Sequence, residues 1–376
     1  GVDKLLAEQK PMQWILHAFK GGKYEVSANT TYEEDAVEPI LRSLPFMNEA
    51  NITQPQDAAL QETDSGYVIT PEVEGNALDE DKVISLVKEA VQNETTELSL
   101  ADQDCYLKPT VYQNDEALNQ QMHTLNSLTG AKLTYTVKGT TSTIDHAVLK
   151  SWLVQDENGN YSIDESKEEE FINQLADQID TYGKSRKFTT HDGAQITLAT
   201  NKYGWQGDRE KSLEDLKEAL AEGKEQEMEL SYSHKAKGSG DNDLGDVYVE
   251  ISIDRQTMWC YKNGQVVVET PVVTGDISKA GRATPKNGCW PIFWKTTEYT
   301  MNGPRDENGT PEYTTFVHYW MPFNGGVGIH DLASRGNNFG GDIYKTNGSH
   351  GCINTPLAAV KTIYETVSVG TPVIVY

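Results

Sequence analysis

Cysteine is scarce in this chain, which has four cysteines among 376 residues, at positions 105, 260, 289 and 352. No two of them form a CxxC pair, and no cysteine–histidine spacing matches a zinc finger. Four scattered cysteines are too sparse for a disulfide framework. A disulfide between Cys289 and Cys352 stays open, because the sequence alone does not exclude it.

Long apolar runs are absent as well. The best apolar cluster near the start, at 14–19, is far shorter than the ~18 consecutive apolar residues that a membrane span needs. The basic and then apolar pattern of a signal peptide is not seen either. Because the sequence opens with Gly1 and not with Met, we expect its natural N-terminus, with any anchor or signal, to lie outside this sequence.

Positive charge is also in short supply, since 57 acidic residues face 32 lysines and arginines and give a formal charge of −25. The imbalance is uneven, because residues 246–376 carry 12 acidic and 10 basic side chains and the preceding 245 residues carry the rest. Nucleic acid and anionic membranes are poor partners for such a surface. The plainest reading of the acidity is solubility.

The length predicts two or three domains. A Gly/Ser/Asp-rich run at 235–246 is typical of a linker or a loop. Before it, apolar stripes predict helices within 79–91, 164–183 and 209–223. A helix followed by a strand with Glu-Leu-Ser recurs at 86–100 and 215–232, which suggests one module used twice, although chance similarity between helix surfaces would look the same.

After Asp246 the pattern is that of β-structure. Alternating apolar residues at 247–253 predict a strand, and Asn263-Gly264 between two strand-like runs predicts a hairpin. Fifteen of the 31 glycines lie in this last third, as tight turns require. A short helix is predicted to begin at Pro356, with Asn354 or Thr355 as its N-cap, and residues 371–376 predict a terminal strand.

The stretch at 348–356 (GSHGCINTP) places Cys352 two or three residues before that predicted helix. A helix N-terminus would favour the thiolate and lower its pKa, and its amides would suit an oxyanion. His350 and His330 are candidate bases. Two other readings stay open, a buried structural thiol and a zinc site drawn from His318 with the same cysteine and histidines.

The pattern formed by His330-Asp331 and, 18 residues later, Ser349-His-Gly-Cys-Ile-Asn resembles the signature of the L,D-transpeptidase family, whose catalytic domain is of the YkuD type. The upstream segment 282–290 (RATPKNGCW) resembles the family's Thr-Pro segment, and 317–331 resembles the strand and loop that lead to the base. The resemblance covers 246–376. Residues before it resemble, more weakly, the peptidoglycan-binding modules of Gram-positive relatives.

The resemblance implies a multidomain fold, with α+β modules at 1–118 and 119–240 and a mainly β, β-sandwich-like catalytic domain at 246–376 with a short helix after the cysteine. It implies that Cys352 is the nucleophile, that His330 is the general base and acid, and that the carbonyl of Asp331 orients this base. The Asp331 carboxylate would raise the pKa of His330 and favour an ion pair with Cys352. His350 and Gly351 would shape the site. The substrate-binding candidates are Tyr319, Trp320, Met321, Ser349 and Asn354.

The implied reaction is acyl transfer between peptidoglycan stem peptides, which are both donor and acceptor, with no cofactor and no metal. Carbapenems are expected to acylate Cys352, and the enzyme is expected outside the membrane, at the bacterial cell wall. The alternatives are an L,D-carboxypeptidase, a non-catalytic wall-binding protein, a zinc hydrolase and a cysteine peptidase of another fold. Whether the third stem residue is lysine or diaminopimelate is not readable from the sequence.

Overall fold

The computed structural model describes residues 32–239, 242–303, 305 and 307–376, with the single positions 7 and 20. The apolar cluster at 14–19 lies outside these residues. Within the described part, every helix is too short or too polar to cross a bilayer. The described residues form two units, of which the first runs to Thr124 without 64–66, and the second comprises 64–66 and Leu125–Tyr376.

The first unit contains helix α1 (Glu34–Arg42), the strands β1 (Ala59–Thr63) and β2 (Gly66–Thr70), which pair with each other, and helix α2 (Glu80–Gln92); only the first residue of β2 is counted with the second unit. Helix α2 confirms the helix predicted from 79–91, and the Asp79 side chain caps it by accepting from the amide of Lys82 at 3.1 Å. Residues 96–100 form no strand, so the strand half of the first proposed repeat was wrong.

Helix α3 (Glu116–Thr129) leads into the first half of the second unit. Its elements are β3 (Lys132–Val137), β4 (Thr140–Ile144), α4 (His146–Ser151), β5 (Leu153–Gln155), β6 (Tyr161–Ile163), α5 (Glu165–Ile179), β7 (Arg186–Thr189), β8 (Gln195–Leu198), β9 (Thr200–Asn201), β10 (Gln206–Gly207), α6 (Arg209–Glu222), β11 (Glu225–Met228) and β12 (Tyr232–His234). Helices α5 and α6 confirm the two predicted stripes. Their apolar faces pack on the sheet β11-β3-β4.

The second half of this unit is mainly β. Its strands are β13 (Val247–Ser252), β14 (Thr257–Lys262), β15 (Gln265–Pro271), β16 (Gly288–Pro291), β17 (Thr296–Asn302), β18 (Thr314–Asn324), β19 (Val327–Asp331), β20 (Ile353–Thr355) and β21 (Pro372–Val375). Helix α7 (Leu357–Thr366) lies between the last two strands. The predicted hairpin is β14–β15, and Asn263 and Gly264 take left-handed φ angles of 53° and 73° at its turn.

These strands form two sheets, with strand orders β15-β14-β13-β21-β16-β9 and β17-β18-β19-β20. A fully buried core lies between them, to which β13, β18, β19 and α7 contribute Val249, Met321, Ile329 and Ile363. Two face-to-face sheets around one core confirm the expected mainly β, sandwich-like domain.

The outer face of the larger sheet is also covered. Phe188 and Leu198, from the β7–β8 hairpin, pack with Cys289 of β16 and Ile374 of β21. This cover explains why Glu250, which points away from the sandwich core on β13, is fully buried. Residues 186–201 therefore belong physically to the same unit as the sheet that they cover.

Candidate active site

The site lies where β19, β20 and the turn before β20 meet. His330 and Asp331 end β19, and Asn354 of β20 is the parallel neighbour of His330. The turn 349–352 runs directly into β20, so it brings Cys352 to the same edge of the sheet. The side chains of Cys352, His330, His350, Ser349 and Asn354 line one cavity of about 190 Å³. The structure therefore brings five of the ten sequence-predicted site residues together.

The turn that carries Cys352 is held by hydroxyl groups. The Ser349 hydroxyl donates to the carbonyl of Cys352 at 2.5 Å and accepts from the amide of Gly351 at 3.0 Å. Gly351 has a φ of +118°, a conformation that side chains with a Cβ rarely adopt. Its carbonyl accepts from the buried Thr284 hydroxyl at 2.7 Å, and this hydroxyl accepts from the amide of Gly275 at 2.8 Å. Four hydrogen bonds thus fix the backbone next to Cys352.

The hydrogen bonds of His330 define its tautomer. Its Nδ1 lies 2.7 Å from the carbonyl oxygen of Asp331, which can only accept, so Nδ1 carries the proton. Its Nε2 lies 3.1 Å from Nδ2 of Asn354, which can only donate, so Nε2 is unprotonated. The imidazole is almost fully buried, and burial lowers its pKa more than the contacts with Asp331 raise it. His330 is therefore neutral, with its basic nitrogen Nε2 unprotonated.

Asp331 makes the contact that the resemblance implies for its carbonyl, but its carboxylate does something else. It accepts from the backbone amides of His318 and Tyr319, both at 2.9 Å, and so joins β18 to the end of β19. Its charge favours the imidazolium of His330, yet the burial of the ring dominates. Asp331 therefore raises the pKa of His330 as expected, but burial lowers it by more, so the net shift is downward and does not favour an ion pair with Cys352.

The environment of Cys352 also differs from the expectation. Helix α7 begins at Leu357 with Pro356 as its N-cap, and β20 separates the helix from the cysteine. Burial raises the pKa of the Cys352 thiol to about 11, and a hydrogen bond from the backbone of Gly328 offsets only part of this rise. The thiol donates to the carbonyl of Gly326 at 3.5 Å. The predicted thiolate at a helix N-terminus was wrong, and the resting pair is a neutral thiol and a neutral imidazole.

Asn354 is held from its other end by Arg335. The guanidinium Nε donates to Oδ1 of Asn354 at 2.7 Å, and Nη2 donates to the carbonyl of Asn347 at 3.0 Å. Arg335 ends a single 3-10 turn (Ala333–Arg335) and lines the cavity. Arg335 lies between the two parts of the recognised motif, and sequence reasoning missed it.

His350 occupies the cavity rim, where its ring contacts that of Tyr313 with centroids 4.6 Å apart. Partial burial, with a smaller effect of the Arg282 charge, lowers the pKa of His350. Its neighbour Tyr313, just before β18, was not predicted. The other lining residues that sequence reasoning missed are Met301, Thr315, Leu332 and Gly348.

The three consecutive β18 candidates are not among the residues that line this cavity. Met321 is fully buried in the sandwich core, and Tyr319 packs on the ring of Tyr364. Trp320 lies beside the candidate base, with its ring 5.7 Å from that of His330. Successive side chains along a strand point to opposite faces of the sheet. Three consecutive residues of β18 therefore cannot all face one cavity.

The described residues offer no cluster of ligands for the zinc site considered above. Among the described residues, no three or more His, Cys, Asp or Glu side chains are placed to hold one metal ion. His318, one of the proposed ligands, is exposed on β18 and contacts Glu298 at 3.0 Å. All four cysteines are free thiols, and Cys289 is buried on β16, so the disulfide left open by the sequence is not formed.

Two family models match the chain. The model of the L,D-transpeptidase catalytic domain, YkuD, matches residues 246–375. The model described as "Putative peptidoglycan binding domain" matches residues 2–99 and 111–229. The second match falls on both halves of the suggested repeat and supports a module used twice. Among curated proteins, no match was found.

Solved structures with similar folds come from the same family. A crystal structure of a cysteine-to-serine mutant of Enterococcus faecium L,D-transpeptidase is 32% identical, and the match covers 68% of this chain and 100% of that one with a TM-score of 0.52. The Ldtfm–avibactam carbamoyl enzyme is also 32% identical, with 69% of this chain and 98% of that one covered and a TM-score of 0.52.

Proposed function

Because the chain belongs to the L,D-transpeptidase family, we propose that it crosslinks peptidoglycan stem peptides through a thioester on Cys352. The observation that carries the proposal is the pairing of a half-buried thiol with a histidine of defined tautomer in one cavity. A neutral His330 with an unprotonated Nε2 is the form that takes a proton from a thiol. No cofactor is needed for this chemistry.

The first half-reaction acylates the enzyme. The Cys352 sulfur attacks the carbonyl carbon of the third residue of a tetrapeptide stem, and its proton passes to the lone pair of His330 Nε2, from which the Asn354 amide donor withdraws as the ring is protonated. The backbone amide of Cys352 stabilises the oxyanion. The bond to the terminal D-Ala then breaks, and the imidazolium returns its proton to the leaving amine. Throughout, Nδ1–H stays bonded to the carbonyl of Asp331, which holds the ring in place.

The second half-reaction transfers the acyl group. An amine from a neighbouring stem or bridge attacks the thioester carbonyl and gives a proton to His330, and the thiolate leaves and is reprotonated. The product is a 3→3 crosslink. A thioester suits this task because it is reactive toward amines. Water in place of the amine would give a tripeptide, which is the carboxypeptidase outcome.

We assign the chemistry to 246–376 and peptidoglycan binding to the modules at 1–118 and 119–240. The protein would then act outside the membrane at the cell wall, in keeping with the peptidoglycan-binding match. Carbapenems are expected to acylate Cys352, since they present a strained amide carbonyl to the same nucleophile. The relative trapped as an avibactam carbamoyl enzyme supports acylation by inhibitors in this family.

Incubation of the purified protein with disaccharide tetrapeptides tests the function. Tandem mass spectrometry should find a dimer lighter than two monomers by one D-Ala, linked through the third residues. Cys352→Ser is the matched control and should give neither dimer nor tripeptide. If the wild type releases no D-Ala, or if the serine variant makes dimer at the same rate, the proposed function is wrong. Tripeptide without dimer would favour the carboxypeptidase.

A further inference from the structure

The side-chain amide of Asn354 lies between a cation and the candidate base. Its Oδ1 accepts from Nε of Arg335 at 2.7 Å, and its Nδ2 donates to Nε2 of His330 at 3.1 Å. A guanidinium has donors only, so the atom that faces it must be the amide oxygen. The contact with Arg335 therefore decides which end of the amide faces His330. Asn354 is almost fully buried, so few other partners compete for either end.

We propose that Arg335 is a positioning residue for the base: it orients the Asn354 amide so that a donor faces Nε2 of His330, which keeps this nitrogen free of a proton. The inference rests on the proposed role of His330 in taking the proton from Cys352. The Asp331 carbonyl selects the same tautomer from the opposite side of the ring. Two independent contacts thus favour one state of the imidazole.

The placement of Arg335 suits this role. A second bond, from Nη2 to the carbonyl of Asn347 at 3.0 Å, anchors the guanidinium to the segment that precedes the Cys352 turn. The pKa of Arg335 is lowered, and the cause is burial of the guanidinium. Among the ion pairs of the described residues, none involves Arg335. Its donors therefore serve neutral oxygen atoms, which is unusual for a partly buried arginine.

Loss of the guanidinium would allow the Asn354 side-chain amide to flip, so that its oxygen and nitrogen exchange places. A turned amide presents Oδ1 to Nε2, and an acceptor at that position stabilises the protonated ring. The base would then hold its proton to higher pH and could not accept one from Cys352 near neutrality. The expected signature is a higher pKa of His330. In the pH profile of Cys352 acylation, the acidic limb would then move to higher pH. An arginine that acted through its charge alone would move the limb equally whether or not the Asn354 amide is present.

Other groups around the ring must be separated from this effect. Asp331 favours the protonated imidazole, and the charge of Arg335 opposes it. From the neighbouring elements, β18 contributes the uncharged ring of Trp320, and the cavity holds the titratable groups of Cys352, His350 and Tyr313. Removal of the Arg335 charge alone raises the pKa of His330, so the test needs a background in which the amide is absent.

The experiment is a double-mutant cycle on the full chain, with Arg335→Met, Asn354→Ala and the double variant. Two readouts are taken across pH 4 to 9. One is the rate of Cys352 acylation by meropenem, followed by intact mass. The other is the 15N titration of the His330 ring, assigned by its loss in His330→Gln. Arg335→Lys, which keeps a charge and a donor, is the conservative rescue, and circular dichroism checks the fold.

Arg335→Met should raise the His330 midpoint by about one pH unit more in the Asn354 background than in the Asn354→Ala background, the size expected for exchanging a hydrogen-bond donor for an acceptor. The lysine variant should stay near the wild-type midpoint. Equal shifts in both backgrounds would mean that only charge acts, and no shift in either would remove the role altogether; both overturn the inference. Because the NMR titration needs no turnover, a failure with muropeptides would sink the proposed function and leave this result standing.

Discussion

The hydroxyl of Thr284 donates to the carbonyl oxygen of Gly351 across 2.7 Å, and this bond ties the loop after β15 to the turn that carries Cys352. The same hydroxyl accepts from the amide of Gly275. Thr284 is buried, so both backbone groups would lose their partner together if the hydroxyl were removed. The Thr-Pro segment recognised in the sequence thus has a structural role, which is to hold the backbone next to Cys352.

Thr284→Val is predicted to destabilise the domain by about 2 kcal/mol, since it leaves two buried backbone groups unpaired. It should also slow acylation of Cys352, because the turn becomes less well fixed. Urea denaturation followed by tryptophan fluorescence, together with meropenem acylation rates, measures both effects. Thr284→Ser keeps the hydroxyl and is the matched control. A valine variant with wild-type midpoint and rate would show that the bond is dispensable.

Replacement of the two site histidines by alanine should separate their roles. His330→Ala is predicted to slow acylation by roughly 10²–10⁴-fold, the usual contribution of a general base. His350→Ala should cost much less, because its ring lies at the rim against Tyr313 and is not held by hydrogen bonds like those of His330. Single-turnover acylation rates compare the two. Equal losses, or the reverse order, would mean that the base is assigned wrongly.

The neutral resting pair predicts an unusual pH dependence of thiol reactivity. Because the pKa of Cys352 is raised to about 11, alkylation by iodoacetamide should keep rising about tenfold per pH unit from pH 7 to beyond pH 9. The neutral thiol likewise contributes stability that is present below about pH 9 and is lost as the pH rises toward 11.

Peptide mapping after brief alkylation isolates the reaction of Cys352. The other three cysteines are fully buried, and Cys352→Ser reports any background from them. A plateau in the rate below pH 8 would reveal a preformed thiolate–imidazolium pair and would contradict the neutral resting state.

Much of the fold was readable from local patterns. The apolar stripe of α2, the Asn263-Gly264 turn and the alternation in β13 depend on residues close in sequence, and all were found. The burial of Glu250 was not readable, because it depends on a hairpin some 60 residues away that covers the outer sheet face. Tertiary cover of this kind leaves no periodic signal in the strand itself.

The candidate site was likewise predictable only in part from the sequence. The motif around Cys352 and the distant His330 could be recognised as residues, but their electrostatics depend on how deeply the sheet edge buries them. Short helices begin where capping allows, and here β20 takes the residues that were assigned to the helix entrance. Arg335 was missed because its importance lies in a contact with Asn354, 19 positions along the chain.

Covalent capture of the nucleophile tests the central claim most directly. After exposure to meropenem, the intact mass of the wild-type chain should rise by one inhibitor, and peptide mapping should place the adduct on Cys352. Cys352→Ser, with an unchanged circular dichroism spectrum, should show no such adduct under the same conditions. An unmodified wild type, or an adduct that persists in the serine variant, would contradict a thioester enzyme built on this cysteine.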